Sequence, residues 1–446
     1  MSIEVTQISL EKFEQRQLDF SRSDFMQSAA FARTQLGMGS YVGLEAVEIT
    51  DGDRLIGQSI ITYRPHMKFF KKACIYQGPL MDYSDLALVK AVISAIELYV
   101  KKKAQILEFH SSIENLIYND KLEVEEEKNK DLFDMICNLG FNRSIDRTGS
   151  GSIDQIFVKR LEQFTDAEDI YKSFYSSLRG SIKKYKDSHI RIKELSMDEL
   201  PEFYDILEKT SERKSFFIQP LEYFETIKAE FGENAKFLKA YIDCEEYTKY
   251  LDDNIALFEN RIAELSERGQ SKKTKGLITD AKDQLGSYQK RKREFEALNI
   301  TTPTVNLSSY LFMCYGDEVI FLFGGSYAEY MHLGGATMLN WEMIKYAHMN
   351  GYPRYNFYGT IETDQAINST GNYNFKKSFG GNLILLGGSF TKTLSPLVKF
   401  LDKIRKEGKT KPMILVSPFS SVFSSSIYAV KSGLSEDEYP SICLQL

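Results

Sequence analysis

The sequence predicts a mixed α+β fold, with two sheet-and-helix units and a pair of long helices interrupting the second. Three observations carry this reading. Hairpin, strand, helix and strand follow one another between residues 41 and 109, a comparable order recurs between residues 200 and 358, and a heptad-spaced apolar seam divides the second series.

The first series opens with strands over Gly43 to Ile49 and Leu55 to Tyr63, joined through Asp51-Gly52, a pair that tolerates the positive φ of a tight hairpin. A third strand, Ala73 to Gln77, stops at Gly78-Pro79. A helix is expected over about Asp85 to Lys102, with Leu88, Val92, Ile93, Ile96 and Val100 on one face, and a strand over Gln105 to Phe109. In the second series, residues 200–208 and 219–231 read as helices and Lys236 to Ile242 as a strand. Ser308 to Cys314 and Val319 to Phe323 form a hairpin about Gly316-Asp317. A helix over Thr337 to Met349 and a strand over Arg354 to Tyr358 follow. The recurrence points to a duplicated unit.

Between them, Leu251, Ile255, Phe258, Ile262 and Leu265 are spaced 4, 3, 4 and 3, which is a heptad seam. After a polar break, Arg268 to Lys275, it resumes at Ile278, Ala281, Leu285, Tyr288 and Phe295, with Lys292 as its one flaw. Two antiparallel helices forming a projecting arm satisfy this pattern. Charged residues around each seam argue against a helix pair buried in the core.

A chain of 446 residues, 43% hydrophobic and 13% aromatic, has the composition of a folded protein and calls for two domains. The expected divisions are residues 1–160, residues 161–245 with 300–395, the arm 246–299, and a basic helix with an unassigned tail, 396–446. Net charge is −6, so an anionic partner must meet a local basic patch. Cys74, Cys137, Cys244, Cys314 and Cys443 are scattered without a CxxC pair, which argues for reduced thiols and against a zinc site. The first 25 residues run polar and charged, unlike a signal peptide, and no apolar run approaches the ~18 residues that span a bilayer. The expected location is the cytoplasm, with contact at a membrane surface open.

The chemistry must come without familiar signatures. The sequence holds no GxSxG, GxxxxGK or HExxH, and its five histidines are far apart. Positioning and electrostatics are therefore expected to outweigh covalent catalysis. Three segments stand out. Arg179, Lys183, Lys184, Lys186, Arg191 and Lys193 form a basic stretch, opposed only by Asp187, beside Tyr171, Phe174, Tyr175 and Tyr185. It suits a phosphate or RNA surface, or else a solvated helix face. Gly324-Gly325-Ser326-Tyr327 and His332-Leu333-Gly334-Gly335-Ala336 precede a helix, where glycines can bare N–H groups to an anion or simply make a tight turn. An intact Q/R-x-x-G-x-G/A pyrophosphate loop is missing. Last, the run Tyr355-Asn356-Phe357-Tyr358-Gly359-Thr360 ends a strand at its glycine, and Asn374-Phe375-Lys376-Lys377-Ser378-Phe379-Gly380-Gly381 follows as a loop. A lysine between aromatics there can meet a developing oxyanion, or snorkel over apolar surface.

These segments carry a resemblance to the Fem (FemABX) family of aminoacyl-tRNA-dependent peptidyl transferases, with its FemX, FemA, MurM and MurN types. It rests on Gln27-Ser28-x-x-Phe31, Gln77-Gly78-Pro79, Phe174 through Lys184, Thr210-Ser211-Glu212-Arg213-x-x-Phe216 and Glu222-Tyr223-Phe224. After the arm it continues through Leu322-Phe323-Gly324-Gly325-Ser326, Asn356-Phe357-Tyr358-Gly359 and Phe375-Lys376-Lys377-x-Phe379-Gly380. These motifs keep their order over residues 1–395. The resemblance implies two acetyltransferase-like (GNAT) domains with an antiparallel coiled-coil arm. It also implies an aminoacyl-tRNA donor and, as acceptor, lipid II or a UDP-linked muropeptide, at the stem-peptide amine or the growing cross-bridge. Lys376 and Phe375 match the family's Phe-Lys pair, with Lys376 stabilising the tetrahedral intermediate. Arg213 is the first candidate for the precursor's phosphates, with Arg179, Lys183, Arg33 and Tyr327 as further substrate-binding candidates. The ester donor is already activated, so no metal or cofactor is implied. Contact with the inner face of the membrane, and association with itself or related transferases, are further expectations. Two positions depart from the family: a phosphate-binding lysine falls at Gln35, near Arg33, and an aspartate proposed as base falls near His110. An acyl-CoA-dependent N-acetyltransferase of the same fold is the alternative.

Overall fold

One continuous sheet runs through the whole molecule. A computed structural model describes residues 3–20, 22–39, 41–67, 69–147, 152–214, 217–268, 271–360 and 371–408. Phe216 and the tail from residue 409 lie outside the described residues. Twelve strands lie side by side in the order Ile3–Ile8, Gly43–Asp51, Arg54–His66, Phe70–Tyr76, Ile106–Tyr118, Asn382–Thr393, Gln155–Arg160, Arg354–Gly359, Glu318–Ser326, Thr304–Tyr315, Ala235–Asp243 and Ile190–Glu194. The fold is mixed α+β, with a comparable sheet-and-helix unit toward each end of this sheet.

Each unit contains one parallel strand pair bridged by a helix. Phe70–Tyr76 and Ile106–Tyr118 are joined across Leu86–Val100, and Glu318–Ser326 and Arg354–Gly359 across Gly335–Met349. Parallel neighbours need such a crossover, and the helix covers the sheet face it crosses. Asp85 caps the first helix by accepting from the N–H groups of Ala87 and Leu88, while Val89, Val92, Ile93, Ile96 and Val100 bury its inner stripe. The hairpin of the first unit closes between Asp51 and Arg54, with Gly52 at a φ of +59°.

The two units are joined by the strand Asn382–Thr393. It pairs antiparallel with Ile106–Tyr118 along nearly its whole length and, through Asn382 to Leu385, with Gln155–Arg160. A buried ionic cluster sits at this seam. Glu114 contacts Arg160 at 2.9 Å, Arg354 at 3.3 Å and Lys128 at 3.4 Å, and Arg354 lies 3.6 Å from Glu318. Burial works against the Glu114 carboxylate, but Arg354 and Arg160 outweigh it and hold its pKa below the ordinary value. Around the cluster, Phe25, Met26 and Phe31 from the first unit pack with Phe203, Phe224 and Phe237 from the second.

The arm consists of helices Cys244–Glu267 and Lys272–Glu296. Leu251, Leu265, Ala281 and Phe295 are buried along its seam, and Phe258 stacks on Tyr288 at 5.7 Å. Lys292, the flaw in the heptad pattern, pairs with Asp252 of the facing helix. Ser271 restarts the chain as a helix by accepting from Thr274 N–H, so the second helix begins inside the expected break.

Several strands are longer than the sequence suggested. Ile106–Tyr118 extends nine residues past Phe109, with Glu114 of the ionic seam and the neighbouring Asn115 buried in its far half. Replacing Arg354 by alanine takes from Glu114 and Glu318 one of the cations they share, the other being Arg22. The expected loss is about 3–5 kcal/mol of stability, read from urea unfolding.

Candidate active site in the splayed second unit

Glu318–Ser326 and Arg354–Gly359 pair only from Glu318–Arg354 to Ile320–Asn356 and then part. The gap opens a cavity of about 400 Å³, lined by Gly324 to Ser326 on one strand and Phe357 to Gly359 on the other. Arg213 and Lys214 reach it from the end of helix Leu200–Lys214, and Phe375 and Lys376 from helix Gly371–Ser378.

The glycine pair on the first strand exists for close approach. A Cβ on Gly324 would lie 1.9 Å from the Tyr310 ring, and one on Gly325 only 2.4 Å from Thr210 Oγ1. Thr210 Oγ1 instead accepts from Ser326 N–H at 3.3 Å, and Arg213 Nη2 donates to Ser326 O at 3.4 Å. The packing of a helix onto bare backbone thus delivers Arg213 to the cavity. The later pair serves packing too: Gly334 has a φ of +89° and lies under the Tyr185 ring, and a Cβ on Gly335 would meet Leu307 Cβ at 2.7 Å.

Lys376 sits at the base of the cavity, 3% exposed. The Phe-Lys-Lys segment is a helix rather than the expected loop, and it turns Tyr373 and Lys376 inward one turn apart. Opposite them, Tyr358 adopts a φ of +60°, rare for an aromatic residue. Its N–H donates to Asn356 Oδ1 at 2.8 Å, and Asn356 Nδ2 donates to Glu318 at 3.2 Å. This left-handed turn aims two successive carbonyls at Lys376 Nζ, which donates to Gly359 O at 2.5 Å and Tyr358 O at 3.5 Å. Burial, reinforced by nearby Lys214, pushes the Lys376 pKa down to about 7. Phe375 lies on the adjacent wall, its ring 5.3 Å from Phe379.

The structure brings together Lys376, Phe375 and Arg213, and places the other sequence candidates elsewhere. Arg179 donates to the carbonyls of Lys172 and Phe174, at 2.9 and 2.5 Å, and so closes the preceding helix. Lys183 is exposed on helix Ser176–Lys186, outside the cavity lining. Arg33 is held by Glu230 at 2.5 Å and Glu14 at 3.0 Å, between the two units. Tyr327, next to the lining residue Ser326, donates its hydroxyl to Asp205. His110 lies 3.2 Å from Glu108 and stacks on Tyr76 in the first unit. Arg191 and Lys193, from the basic stretch, pair with Glu246 and Glu199 along an edge strand. Lys214 was missed as a site residue, and Asn356 and Tyr358 were singled out only within a run, without a role of their own. Lys214 had the signal of adjoining Arg213, whereas nothing in a strand-favouring tyrosine announces a left-handed turn.

Parted strands thus open a cavity beside a buried amine, within a mixed α+β sheet. The model of the FemAB family matches residues 5–406, and the chain belongs to that family. It is 26% identical over 383 residues to "Aminoacyltransferase FemA" of Staphylococcus aureus strain bovine RF122 / ET3-1, covering 84% of this chain and 91% of that protein. The protein of the same name from strain MRSA252 matches equally, at 26% identity over the same shares. The crystal structure of FemX superposes with a TM-score of 0.72 at 19% identity, covering 90% of this chain and 100% of that one, which establishes the shared fold.

The unfolded chain holds the Lys376 proton up to about pH 10.4, whereas the folded chain releases it near pH 7. Between those values the unfolded state binds the extra proton, so the stability contributed by this site rises with pH across the window. Unfolding free energies measured from about pH 7 to 10 should climb for the wild type relative to Lys376→Met. A pH-independent difference would contradict the buried amine.

Proposed function

We propose that this aminoacyltransferase moves an amino acid from aminoacyl-tRNA to the stem-peptide amine, or to the growing cross-bridge, of a peptidoglycan precursor, either lipid II or its UDP-linked counterpart. The observation that carries the reading is the Lys376 amine, buried at the base of a cavity whose mouth holds Arg213 and Lys214. Membership of the FemAB family and relatives named as aminoacyltransferases support it.

The cavity has the volume of a small-molecule site, so the aminoacyl end of a tRNA and the tip of the acceptor enter while the rest stays outside. In this reading the unit formed by 161–245 and 300–395 performs the transfer, and the arm, 246–299, meets the tRNA. The unit 1–160 supports the acceptor. The acceptor amine attacks the ester carbonyl and forms the new C–N bond. The carbonyl electrons pass to oxygen, where protonated Lys376 donates a hydrogen bond, and return as the C–O bond to the tRNA ribose breaks. The proton lost by the amine ends on the ribose hydroxyl that leaves. Phe375 excludes water along one wall, and Arg213 holds an anionic group of the precursor. Arg33, Arg179, Lys183 and Tyr327 would act on substrate only outside this cavity.

Labelled glycine, serine and alanine on tRNA, offered with lipid II, its branched forms and the UDP-linked muropeptide, test the reading directly. Labelled peptide product is expected. Acetyl transfer from acetyl-CoA with no aminoacyl transfer would replace it with the N-acetyltransferase reading. Lys376→Met should lower kcat by about 10²–10³-fold while donor binding persists. Arg213→Ala should instead raise the acceptor KM by about tenfold, with little change in kcat. Full turnover in Lys376→Met would remove the lysine from the mechanism.

A further inference from the structure

Away from the cavity, one end of the sheet exposes large apolar side chains among lysines. Helix Pro396–Gly408 follows the seam strand directly. Leu397, Phe400 and Ile404, spaced as one helical stripe, are 58%, 60% and 49% exposed, while Val398 is fully buried on the inner side. Asp402 fixes that inner side by lying 3.7 Å from His66, at the base of the turn between strands Arg54–His66 and Phe70–Tyr76. Phe69 in this turn is 90% exposed.

Gln105 ties these pieces together. Its N–H donates to Lys71 O at 2.9 Å, its side-chain oxygen accepts from Lys71 N–H at 2.8 Å, and its carbonyl accepts from Leu394 N–H at 2.8 Å. The hairpin and the root of the helix are thereby held at the same end of the sheet. The exposed charges there are mostly basic: Lys71 and Lys399, with Lys403 and Arg405, which also have partners of their own. Of the acids described near them, Glu97 pairs with Lys392 and Glu45 with Lys103, while Asp402 lies 3.7 Å from His66.

We propose that this end, led by Phe69 and the stripe Leu397, Phe400 and Ile404, docks onto a bilayer containing anionic phospholipid. Apolar side chains in a basic surround match the acyl region beneath a negatively charged headgroup layer. A second copy of the chain fits less well. A two-fold interface on this stripe would set Lys399 and Lys403 of one copy against the same basic residues of the other. The surface stands on its own geometry, and only its effect on turnover rests on the proposed acceptor.

The test is co-sedimentation of the full-length chain with vesicles of phosphatidylcholine alone or mixed with phosphatidylglycerol, without substrates. Binding is expected to the mixed vesicles, at least tenfold weaker to phosphatidylcholine alone, and weakened by salt. Phe400→Asp with Ile404→Asp should reduce binding at least tenfold, as should Phe69→Ser with Leu397→Ser, with thermal unfolding unchanged because these side chains are exposed. Transfer to the UDP-linked acceptor should be untouched by either pair, and transfer to lipid II in vesicles should fall. A wild-type chain that ignores the mixed vesicles overturns the proposal, whether residues 409–446 or a second copy cover the stripe. Undiminished vesicle binding by both variant pairs overturns it equally. Vesicle binding without aminoacyl transfer to any acceptor would retain the surface and remove the proposed reaction instead.

Discussion

The pairing of Asn382–Thr393 with strands from both units is the constraint on which the rest of the molecule depends. Two sheets that merely touched could slide, whereas strands hydrogen-bonded into one sheet share a register. The same seam buries Glu114, Arg354 and Glu318, ionic groups costly to leave without partners and therefore demanding of geometry. Glu318 and Arg354 are also the first residues of the two strands that part to form the cavity. The clasp holding the units together is thus the fixed end of the opening that holds the site.

From that fixed end the site follows in short steps. Glu318 engages Asn356, Asn356 holds the N–H of Tyr358 in a left-handed turn, and the turn presents two carbonyls to Lys376. Backbone carbonyls can anchor an ammonium group without neutralising it. A carboxylate in their place would pin the lysine in its charged form and quench it toward a substrate oxyanion. The cost is the strained tyrosine, tolerated because packing and hydrogen bonds on both sides fix it.

Much of this was legible in the sequence wherever a local rule and the tertiary environment agreed. Asp51-Gly52 announced its hairpin, and the seam from Leu251 to Phe295 announced the arm, with Lys292 excused by an ion pair that no heptad count shows. Legibility failed where polar residues were buried or backbone did unusual work. Glu114 and Asn115 hid the far half of Ile106–Tyr118, and the strand Gln155–Arg160 was not anticipated. In the site, Lys376, Phe375 and Arg213 came from motif order, since a lysine beside a phenylalanine is uninformative by itself. Within the basic stretch Arg179, Arg191 and Lys193 are engaged in holding a helix end and an edge strand, while Lys183, Lys184 and Lys186 are exposed. Charge density in a sequence does not separate such pairs from a surface waiting for phosphate.

The depressed lysine also bears on the acceptor of the proposed reaction. An acceptor amine of pKa ~10.4 is about 0.04% neutral at pH 7, a penalty of roughly 4.6 kcal/mol before attack can begin. Lys376, an amine of the same kind in the same cavity, falls from 10.5 to about 7, equivalent to about 5 kcal/mol. In the proposed reaction an acceptor amine entering beside it meets desolvation too and, in addition, the charge of Lys376 whenever that lysine is protonated. Two ammonium groups in one dry cavity are strongly disfavoured, so the pair holds one proton between them. When Lys376 keeps it, the acceptor is the neutral nucleophile and the lysine is the cation an oxyanion requires. In the proposed mechanism one buried amine thus prepares both partners of the step, without a carboxylate base.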